Sequence, residues 1–259
     1  TKATYHNLIF LGLLGKIKDI NILSKLPFKN LKTLFLSNNN FYNTNIDIFR
    51  NVPFKNLKIL ILQSNKINNI EGLTKAPFYE LITLHLEYNS IKDIKPVKEF
   101  PFVKLENLYL DNNCIENLEY LAYAPFSNLQ ILSLRNNKIS DINVLSRVTF
   151  KNLTCLILDN NQISNIEVFS KVPFTKLQTL YLRENLIVNL DVFTNVPFIH
   201  LCILYLSNNN ITDFKPLSFA SFKKKSKNHV IIYVDSSLYY SIQNKKDGAD
   251  YSGILFARE

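Results

Sequence analysis

Nine residues, Leu31-Lys32-Thr33-Leu34-Phe35-Leu36-Ser37-Asn38-Asn39, decide the fold because their pattern recurs along the chain. Written Leu-x-x-Leu-x-Leu-x-x-Asn, the pattern restarts 26 residues later at Leu57 and then every 24 residues up to Leu201. The asparagine that closes it is present in all eight copies. A fixed period of roughly 20–50 residues is typical of repeat architectures, so the sequence predicts a tandem array.

Each repeat predicts one coil of a solenoid. The alternation in Leu34-Phe35-Leu36 has period two, which is typical of a short β-strand with the leucines on one face. Apolar residues follow at spacings of three, as in Ile67, Ile70 and Leu73, and we expect them to point inward. A Pro-Phe pair comes next, with Thr149-Phe150 as the one departure. The proline ends the outer segment, and we expect the phenylalanines to stack as a spine.

The pattern resembles the leucine-rich repeat family, whose signature it matches over about residues 7–222. The Ile-x-x-Ile-x-x-Leu spacing is similar to the internalin and phosphatase-regulatory-subunit type of repeat, here in 24-residue units containing a Pro-Phe pair. The resemblance implies an α/β, mostly β, solenoid: a horseshoe with a parallel concave sheet, short helical or irregular convex segments and capped ends. It also implies a ladder of asparagine amides bonded to neighbouring backbone groups.

The ends of the chain depart from the repeat. We assign residues 1–222 to the solenoid, with a degenerate first repeat at 7–30 and eight full repeats from 31. Residues 223–259 are expected to form a C-terminal cap that covers the end of the core. Within it, Val230–Val234 predicts a last strand, whereas residues 236–259 carry no motif.

The composition excludes several classes of protein. The 259 residues include 34 asparagines but only 5 glycines, no methionine and no tryptophan, and 47% are apolar. A disordered, collagenous or simple polybasic chain is therefore excluded. No apolar run approaches the ~18 residues that span a bilayer, and we expect a soluble domain without a leader. Asparagine tolerates left-handed backbone geometry, so we expect it to replace glycine in the turns.

The variable residue between the two strand leucines points to a binding surface. Six of the eight are large aromatic or aliphatic residues on the face predicted to meet solvent, and at ~4.8 Å per strand the row would be roughly 35 Å long. The eight residues are Phe35, Ile61, His85, Tyr109, Ser133, Ile157, Tyr181 and Tyr205. An exposed apolar stripe often marks a partner site. The alternative is that such residues simply favour strands and stack on one another.

Two residues further on, the same face carries polar side chains. They are Ser37, Gln63, Glu87, Asp111, Arg135, Asp159, Arg183 and Ser207. Because Asp111, Arg135, Asp159 and Arg183 alternate in sign, they can form a self-neutralising ladder worth ~0.2–1 kcal/mol per pair. Alternatively, the carboxylates hold the arginines ready for acidic groups of a partner. The sequence leaves both readings open.

Catalysis is not expected. Strand spacing separates His85 from Ser133 by about 10 Å and from Cys155 by about 14 Å, too far for a nucleophile and its base. His85 and Glu87 are neighbours, which is more often a structural contact. Glycine-rich phosphate loops and clusters with metal-ligand spacing are absent from the sequence, so no cofactor or metal is predicted.

Cysteine usage favours a reducing compartment. Three cysteines in different repeats cannot all pair, and both ends lack the cysteine-rich caps of extracellular relatives. We therefore expect a cytoplasmic protein, with a secreted or cell-surface location as the alternative.

Charge is unevenly distributed. The chain has a formal charge of +9, yet the concave columns hold four cationic residues and five carboxylates. The excess follows the repeat phenylalanines, at Lys29, Lys55, Lys104, Lys151, Lys176, Lys223 and Lys224, against one carboxylate, Glu80. The basicity therefore runs mostly along one edge of the solenoid.

These observations predict a non-enzymatic module that binds a protein or peptide on the concave face, as a scaffold or regulatory subunit. The predicted contact residues are Phe35, Ile61, His85, Glu87, Tyr109, Asp111, Arg135, Ile157, Asp159, Tyr181, Arg183 and Tyr205. The alternatives are an adhesin of internalin type, an anionic polymer or membrane surface bound through the basic edge and Lys223–Lys227, and a structural spacer. Nucleic acid and membrane are not the expected partners, and the chain is expected to be a monomer or part of a larger complex.

Overall fold

The alternating leucines of each repeat form a three-residue β-strand, as the sequence predicts. The computed structural model describes residues 7–15, 17, 19–41, 46–224, 229–236, 239–240, 242 and 249–258. The chain divides into two compact units, Thr1–Leu129 and Gln130–Glu259. In both units the strands run parallel and each pairs with its sequence neighbours, as a repeat solenoid requires.

The first unit contains the beginning of the array. Its strands are β1 (Phe10–Gly12), β2 (Thr33–Phe35), β3 (Ile59–Ile61), β4 (Thr83–His85) and β5 (Asn107–Tyr109). Short 3-10 helices lie between and after them, at Ile20–Lys25, Ile46–Asn51, Glu71–Leu73, Lys95–Glu99 and Glu119–Tyr123. Phe35 pairs in register with Ile61, so equivalent positions of successive repeats lie side by side.

The second unit continues the same pattern. Its strands are β6 (Ile131–Ser133), β7 (Cys155–Ile157), β8 (Thr179–Tyr181), β9 (Ile203–Tyr205), β10 (Val230–Val234) and β11 (Ile254–Arg258). The outer segments are 3-10 helices at Asn143–Ser146, Glu167–Ser170, Asp191–Asn195 and Ser221–Lys224 and a short α-helix at Lys215–Ser218.

Two expectations for the end of the chain have different outcomes. The strand predicted at Val230–Val234 is present as β10, but it is not the last, because β11 pairs with it in parallel. No sequence motif marked β11. The basic run Lys223–Lys227 lies outside the residues whose side chains the structure describes. The bounds assigned to the solenoid and cap stay a prediction.

The core of each coil is built from the repeated apolar residues. The strand leucines are buried, and so are Ile67, Ile70 and Leu73 of the third coil. Their spacing of three suits the outer segments, because three residues complete one turn of a 3-10 helix. The phenylalanines that follow the prolines form a fully buried column from Phe54 onward, whereas Phe28 is half-buried.

The phenylalanine spine is less regular than a simple stack. Phe78 and Phe102 stack with ring centroids 6.2 Å apart. Phe49 packs edge-on against Phe78 at 5.7 Å, and Phe100 lies 4.9 Å from Phe102 and 6.4 Å from Phe126. Phenylalanines from the outer segments therefore interleave with the column, since tilted and edge-to-face contacts are favoured between aromatic rings.

The predicted asparagine ladder is present. The Nδ2 atom of Asn65 donates to the carbonyl of Leu62 in its own repeat and to that of Leu36 in the preceding repeat. Its Oδ1 accepts from the backbone nitrogen of Asn39 at 2.7 Å. Since this amide is fully buried, it satisfies backbone groups that no water can reach. The ladder thereby ties each coil to the one before it.

A second column of Asn and Asp residues starts the outer segments. Asn69 Oδ1 accepts from the backbone nitrogen of Glu71 at 2.7 Å, and Asp93 bonds that of Lys95 in the same way. The equivalent side chains are Asp19, Asn117, Asp141, Asn165, Asn189 and Asp213. These side chains supply the capping oxygens that short helices need. Together with the ladder, this column accounts for many of the asparagines in the chain.

Asparagine also serves the left-handed turns, as expected, but it does not hold that position alone. The residue before the ladder asparagine has a positive φ in all eight repeats. Five of these residues are asparagines: Asn38, Asn112, Asn136, Asn160 and Asn208. Ser64, Tyr88 and Glu184 adopt the same geometry, at φ values of 52–58°, although such side chains rarely do.

Candidate functional site

The variable residues between the strand leucines form a row of paired positions within each unit. In the first unit Phe35, Ile61, His85 and Tyr109 occupy paired positions on β2–β5. In the second, Ser133, Ile157, Tyr181 and Tyr205 do the same on β6–β9. Ser133 is buried, and the others are half-buried rather than fully exposed, because each is flanked by equivalent side chains on the neighbouring strands.

Three tyrosines form a stacked platform in the second unit. The rings of Tyr181 and Tyr205 lie 4.4 Å apart at 10°, and those of Tyr205 and Tyr233 lie 4.5 Å apart at 13°. Tyr233 is on β10 and pairs with Tyr205 in the same register. We call Tyr181, Tyr205 and Tyr233 the tyrosine platform. Its centroid spacing is close to the ~4.8 Å between strands, so the backbone presents the rings at stacking distance.

Tyr233 is the residue of this surface that sequence reasoning missed. It lies outside the leucine signature, in a strand read only as the end of the array. Aligning the alternation Val230–Val234 with Leu204-Tyr205-Leu206 would have placed it beside Tyr205.

Arg183 lies against this platform. Its guanidinium carbon is 4.0 Å from the ring centroid of Tyr205 and 5.5 Å from that of Tyr181. This is cation–π distance, where contacts contribute about 0.5–2 kcal/mol. One of the two readings that the sequence left open has carboxylates holding this arginine ready for a partner; neither reading includes the contacts with the tyrosine rings.

Asp159 is held inside the sheet surface. It is only 4% exposed, and its Oδ1 accepts from the backbone nitrogen of Arg183 at 2.9 Å. Asp159 thus fixes the backbone from which Arg183 projects. Arg135 stands one strand before it, in the same column.

The first unit has a smaller polar and aromatic cluster. His85 stacks on Tyr109 with ring centroids 4.5 Å apart at 8°. The Nδ1 atom of His85 is 2.7 Å from Glu87 Oε1, so the contact predicted between neighbours is formed. Asp111 follows Glu87 in the same column. Its backbone carbonyl accepts a hydrogen bond from the backbone nitrogen of Tyr88. The arrangement orients the imidazole between the ring of Tyr109 and the carboxylate of Glu87.

The environment of Cys155 does not favour a thiolate. Burial and the nearby Asp159 carboxylate raise the pKa of the thiol to about 11. Cys155 is therefore protonated at neutral pH, and a nucleophilic role would require the opposite shift. The residues that the structure describes contain no group of three or more His, Cys, Asp or Glu side chains suited to a metal ion.

The hydroxyl of Tyr181 is also neutral. Burial raises the pKa of Tyr181 to about 12, and the neighbouring Tyr205 contributes to the shift. Tyr181 keeps its proton over the physiological range and can donate a hydrogen bond at the edge of an apolar surface. Such side chains combine a large contact area with one polar atom.

Comparisons with known structures show the same architecture. An internalin, InlF, from Listeria monocytogenes is 22% identical over 93% of this chain and 71% of its own, with a TM-score of 0.67. Internalin C2 from the same organism is 25% identical over 77% and 79%, with a TM-score of 0.58. The leucine-rich repeat ectodomain of the Arabidopsis thaliana receptor kinase GASSHO1/SCHENGEN3, solved with CASPARIAN STRIP INTEGRITY FACTOR 2, is 20% identical over 89% and 28%, with a TM-score of 0.62.

Sequence comparisons agree with the repeats. No curated protein matches the chain significantly. Among the helices that the structure describes, none has the length and apolar character needed to cross a membrane. Family models match as "Leucine Rich repeats (2 copies)" at 127–171, "Leucine rich repeat" at 55–115 and "Leucine Rich Repeat" at 30–52 and 200–222, together more than half of the chain. The chain therefore belongs to the leucine-rich repeat family, with repeats of the kind seen in internalins.

Proposed function

We propose that this chain is a non-enzymatic interaction module that binds a protein or peptide on the strand face, as a scaffold or regulatory subunit. Membership of the leucine-rich repeat family supports a role as a protein-interaction module. The plant ectodomain solved with a partner is an example of a leucine-rich repeat complex. The strand face, the contact residues and the cytoplasmic location are our proposal, and an internalin-type surface adhesin is the alternative.

The observation that carries the proposal is the tyrosine platform with Arg183. Tyrosine and arginine are enriched among the residues that dominate binding energy at interfaces. Here three rings and one guanidinium are already ordered by stacking against one another. Ordering a flexible side chain on binding costs about 0.5–1.5 kcal/mol, so this pre-ordering lowers the entropic cost of association.

The remaining predicted residues lie on or directly after the strands of their own units. Ile157 adds an apolar neighbour beside Tyr181, and Asp159 positions Arg183. In the first unit, Phe35 and Ile61 supply apolar surface, and Tyr109, stacked on His85, supplies aromatic surface. Glu87, Asp111 and Arg135 would set polar specificity.

A peptide selection tests the proposal. Peptides are selected by phage display against the whole chain, and their dissociation constants are measured by calorimetry. The double variant Tyr181→Ala/Tyr205→Ala should weaken the selected peptides by about 30-fold or more, since even one interface hot spot contributes about 2 kcal/mol. Arg183→Gln, which leaves the rings in place, should weaken them by about tenfold.

The chain offers a matched control. Tyr79 and Tyr123 are 55% and 63% exposed and lie outside the strands, so Tyr79→Ala/Tyr123→Ala removes the same groups elsewhere. It should change affinity less than twofold. Equal losses of affinity in both double variants would contradict the proposed face. So would selected peptides whose affinity changes neither in the platform variant nor in Arg183→Gln. Circular dichroism of each variant checks that the repeats remain folded.

A further inference from the structure

A repeated tetrapeptide forms a basic array in the first unit. The sequence Lys-Asn-Leu-Lys occurs at 29–32 and again at 55–58, in two neighbouring repeats. Its leucine is fully buried in both copies, whereas the other three residues are exposed. The next two repeats of this unit carry Tyr-Glu-Leu-Ile at 79–82 and Val-Lys-Leu-Glu at 103–106 instead. The array is therefore a local feature, not a property of the repeat.

The two copies lie side by side. The backbone nitrogen of Lys58 donates to the carbonyl of Lys32 at 2.8 Å, so the paired positions are one strand spacing apart, about 4.8 Å. Between them is a cleft of about 470 Å³. Its polar lining consists of Asn7, Asn30, Lys32, Asn56, Lys58 and Glu80.

The charge of this cleft is not neutralised within the unit. No carboxylate of the described residues lies within ion-pair distance of Lys29, Lys32, Lys55 or Lys58. The one acid in the lining, Glu80, is occupied by Lys104, whose Nζ is 2.7 Å from its carboxylate. The like charges of Lys32 and Lys58, which occupy paired positions just before β2 and β3, repel one another, and an anionic ligand would relieve that repulsion.

The asparagines indicate what kind of anion fits. Asn56 Nδ2 donates to the carbonyl of Lys29 at 3.1 Å, and Asn30 Nδ2 faces Asn7 Oδ1 at 3.4 Å. The Oδ1 atoms of Asn30 and Asn56 are hydrogen-bond acceptors. A phosphate chain has no donor for such acceptors, whereas a peptide backbone has one N–H per residue. No aromatic side chain lines the described part of the cleft to stack a nucleobase.

We propose that this cleft binds an acidic segment of polypeptide, with Lys32 and Lys58 contacting its carboxylates and the asparagine amides contacting its backbone. The site lies in the first unit, beside the start of β2 and β3, and does not include the tyrosine platform of the second unit. Lys32 precedes Phe35 by three residues, about 10 Å along the strand. A partner that reaches both would carry acidic residues next to an apolar anchor.

A labelled decaglutamate peptide tests this inference by fluorescence anisotropy with the whole chain at low salt. The double variant Lys32→Gln/Lys58→Gln should weaken binding at least tenfold. Lys138→Gln/Lys171→Gln removes the same charge from exposed lysines elsewhere and should change binding less than twofold. Because all four lysines are on the surface, melting temperatures should stay unchanged.

Three results would overturn the inference. Equal weakening in both double variants would show that net charge, not the cleft, attracts the peptide. Tighter binding of polyphosphate or a heparin fragment than of decaglutamate, lost in the cleft variant, would assign the cleft to another class of anion. Undiminished binding of a backbone N-methylated decaglutamate would remove the role given to the asparagines. The Tyr181→Ala/Tyr205→Ala variant should bind decaglutamate normally, which separates this inference from the proposed function.

Discussion

Replacing one ladder asparagine tests whether the ladder holds neighbouring coils together. Asn161 Nδ2 donates to the carbonyls of Leu134 and Leu158, both at 3.0 Å, and to that of Asp159 at 3.1 Å. Its Oδ1 accepts from the backbone nitrogen of Ile139 at 3.0 Å. The side chain is only 8% exposed, so water cannot replace it in the intact structure.

The structure sets the expected magnitude for Asn161→Ala. The substitution removes the partner of one buried N–H, that of Ile139, and one partner each of the carbonyls of Leu134 and Leu158. Leaving a buried polar group unsatisfied costs about 1–3 kcal/mol, so we expect a loss of about 3–5 kcal/mol. That is a large share of the ~5–15 kcal/mol that stabilises a typical domain.

The assay is urea denaturation followed by circular dichroism, combined with hydrogen exchange. Because stability in a repeat array depends on nearest-neighbour interfaces, exchange should increase first in the coils that flank residue 161. Asn210→Ala is the control: this asparagine is exposed, and its loss should stay within about 0.5 kcal/mol. A loss below 1 kcal/mol for Asn161→Ala, or an increase in exchange spread evenly over the unit, would refute the reasoning.

Three further substitutions or reactions probe other features. A Cβ added at Gly72 would lie 2.4 Å from the backbone carbon of Ile46, so Gly72→Ala should lower the free energy of unfolding by about 1–3 kcal/mol in urea titrations. Glu184 has a φ of 52°, a left-handed conformation that is less unfavourable for asparagine than for glutamate. Glu184→Asn should therefore raise the melting temperature and increase the free energy of unfolding by about 0.5 kcal/mol. With a pKa of about 11, roughly one Cys155 thiol in a thousand is ionised at pH 8. Mass spectrometry after iodoacetamide treatment should therefore show slower labelling of Cys155 than of the exposed Cys202, and labelling of Cys155 should accelerate up to about pH 11.

The elements that repeat could be predicted from the sequence. The strands, the buried leucines and the ladder asparagine lie at fixed positions of a pattern present eight times. A residue that recurs in every coil meets the same neighbours in every coil, so one physical explanation applies to all of them. The Asx column that begins with Asp19 and Asn69 was also readable, since an Asn or Asp one or two residues before a short helix is a capping signal.

The side-chain contacts between repeats were not predictable in the same way. Arg183 lies over Tyr205, and Asp159 accepts a hydrogen bond from the backbone of Arg183, two contacts that the spacing of the repeats did not specify. Those contacts depend on rotamers chosen among neighbours 22–24 residues away. A column pattern states which residues are adjacent, and it does not state which of the possible partners each side chain selects.

Function in such an array is expected where adjacent coils carry the same variable residue. One tyrosine on a strand is a partly solvated side chain, whereas Tyr181, Tyr205 and Tyr233 on successive strands become a continuous aromatic surface. One Lys-Asn-Leu-Lys turn is a solvated edge, whereas the copies at 29–32 and 55–58 together place Lys32 and Lys58 in the lining of one cleft. The strand spacing is constant, so repetition of a residue converts directly into a surface of defined chemistry. This is why both surfaces lie where the variable positions of neighbouring repeats agree.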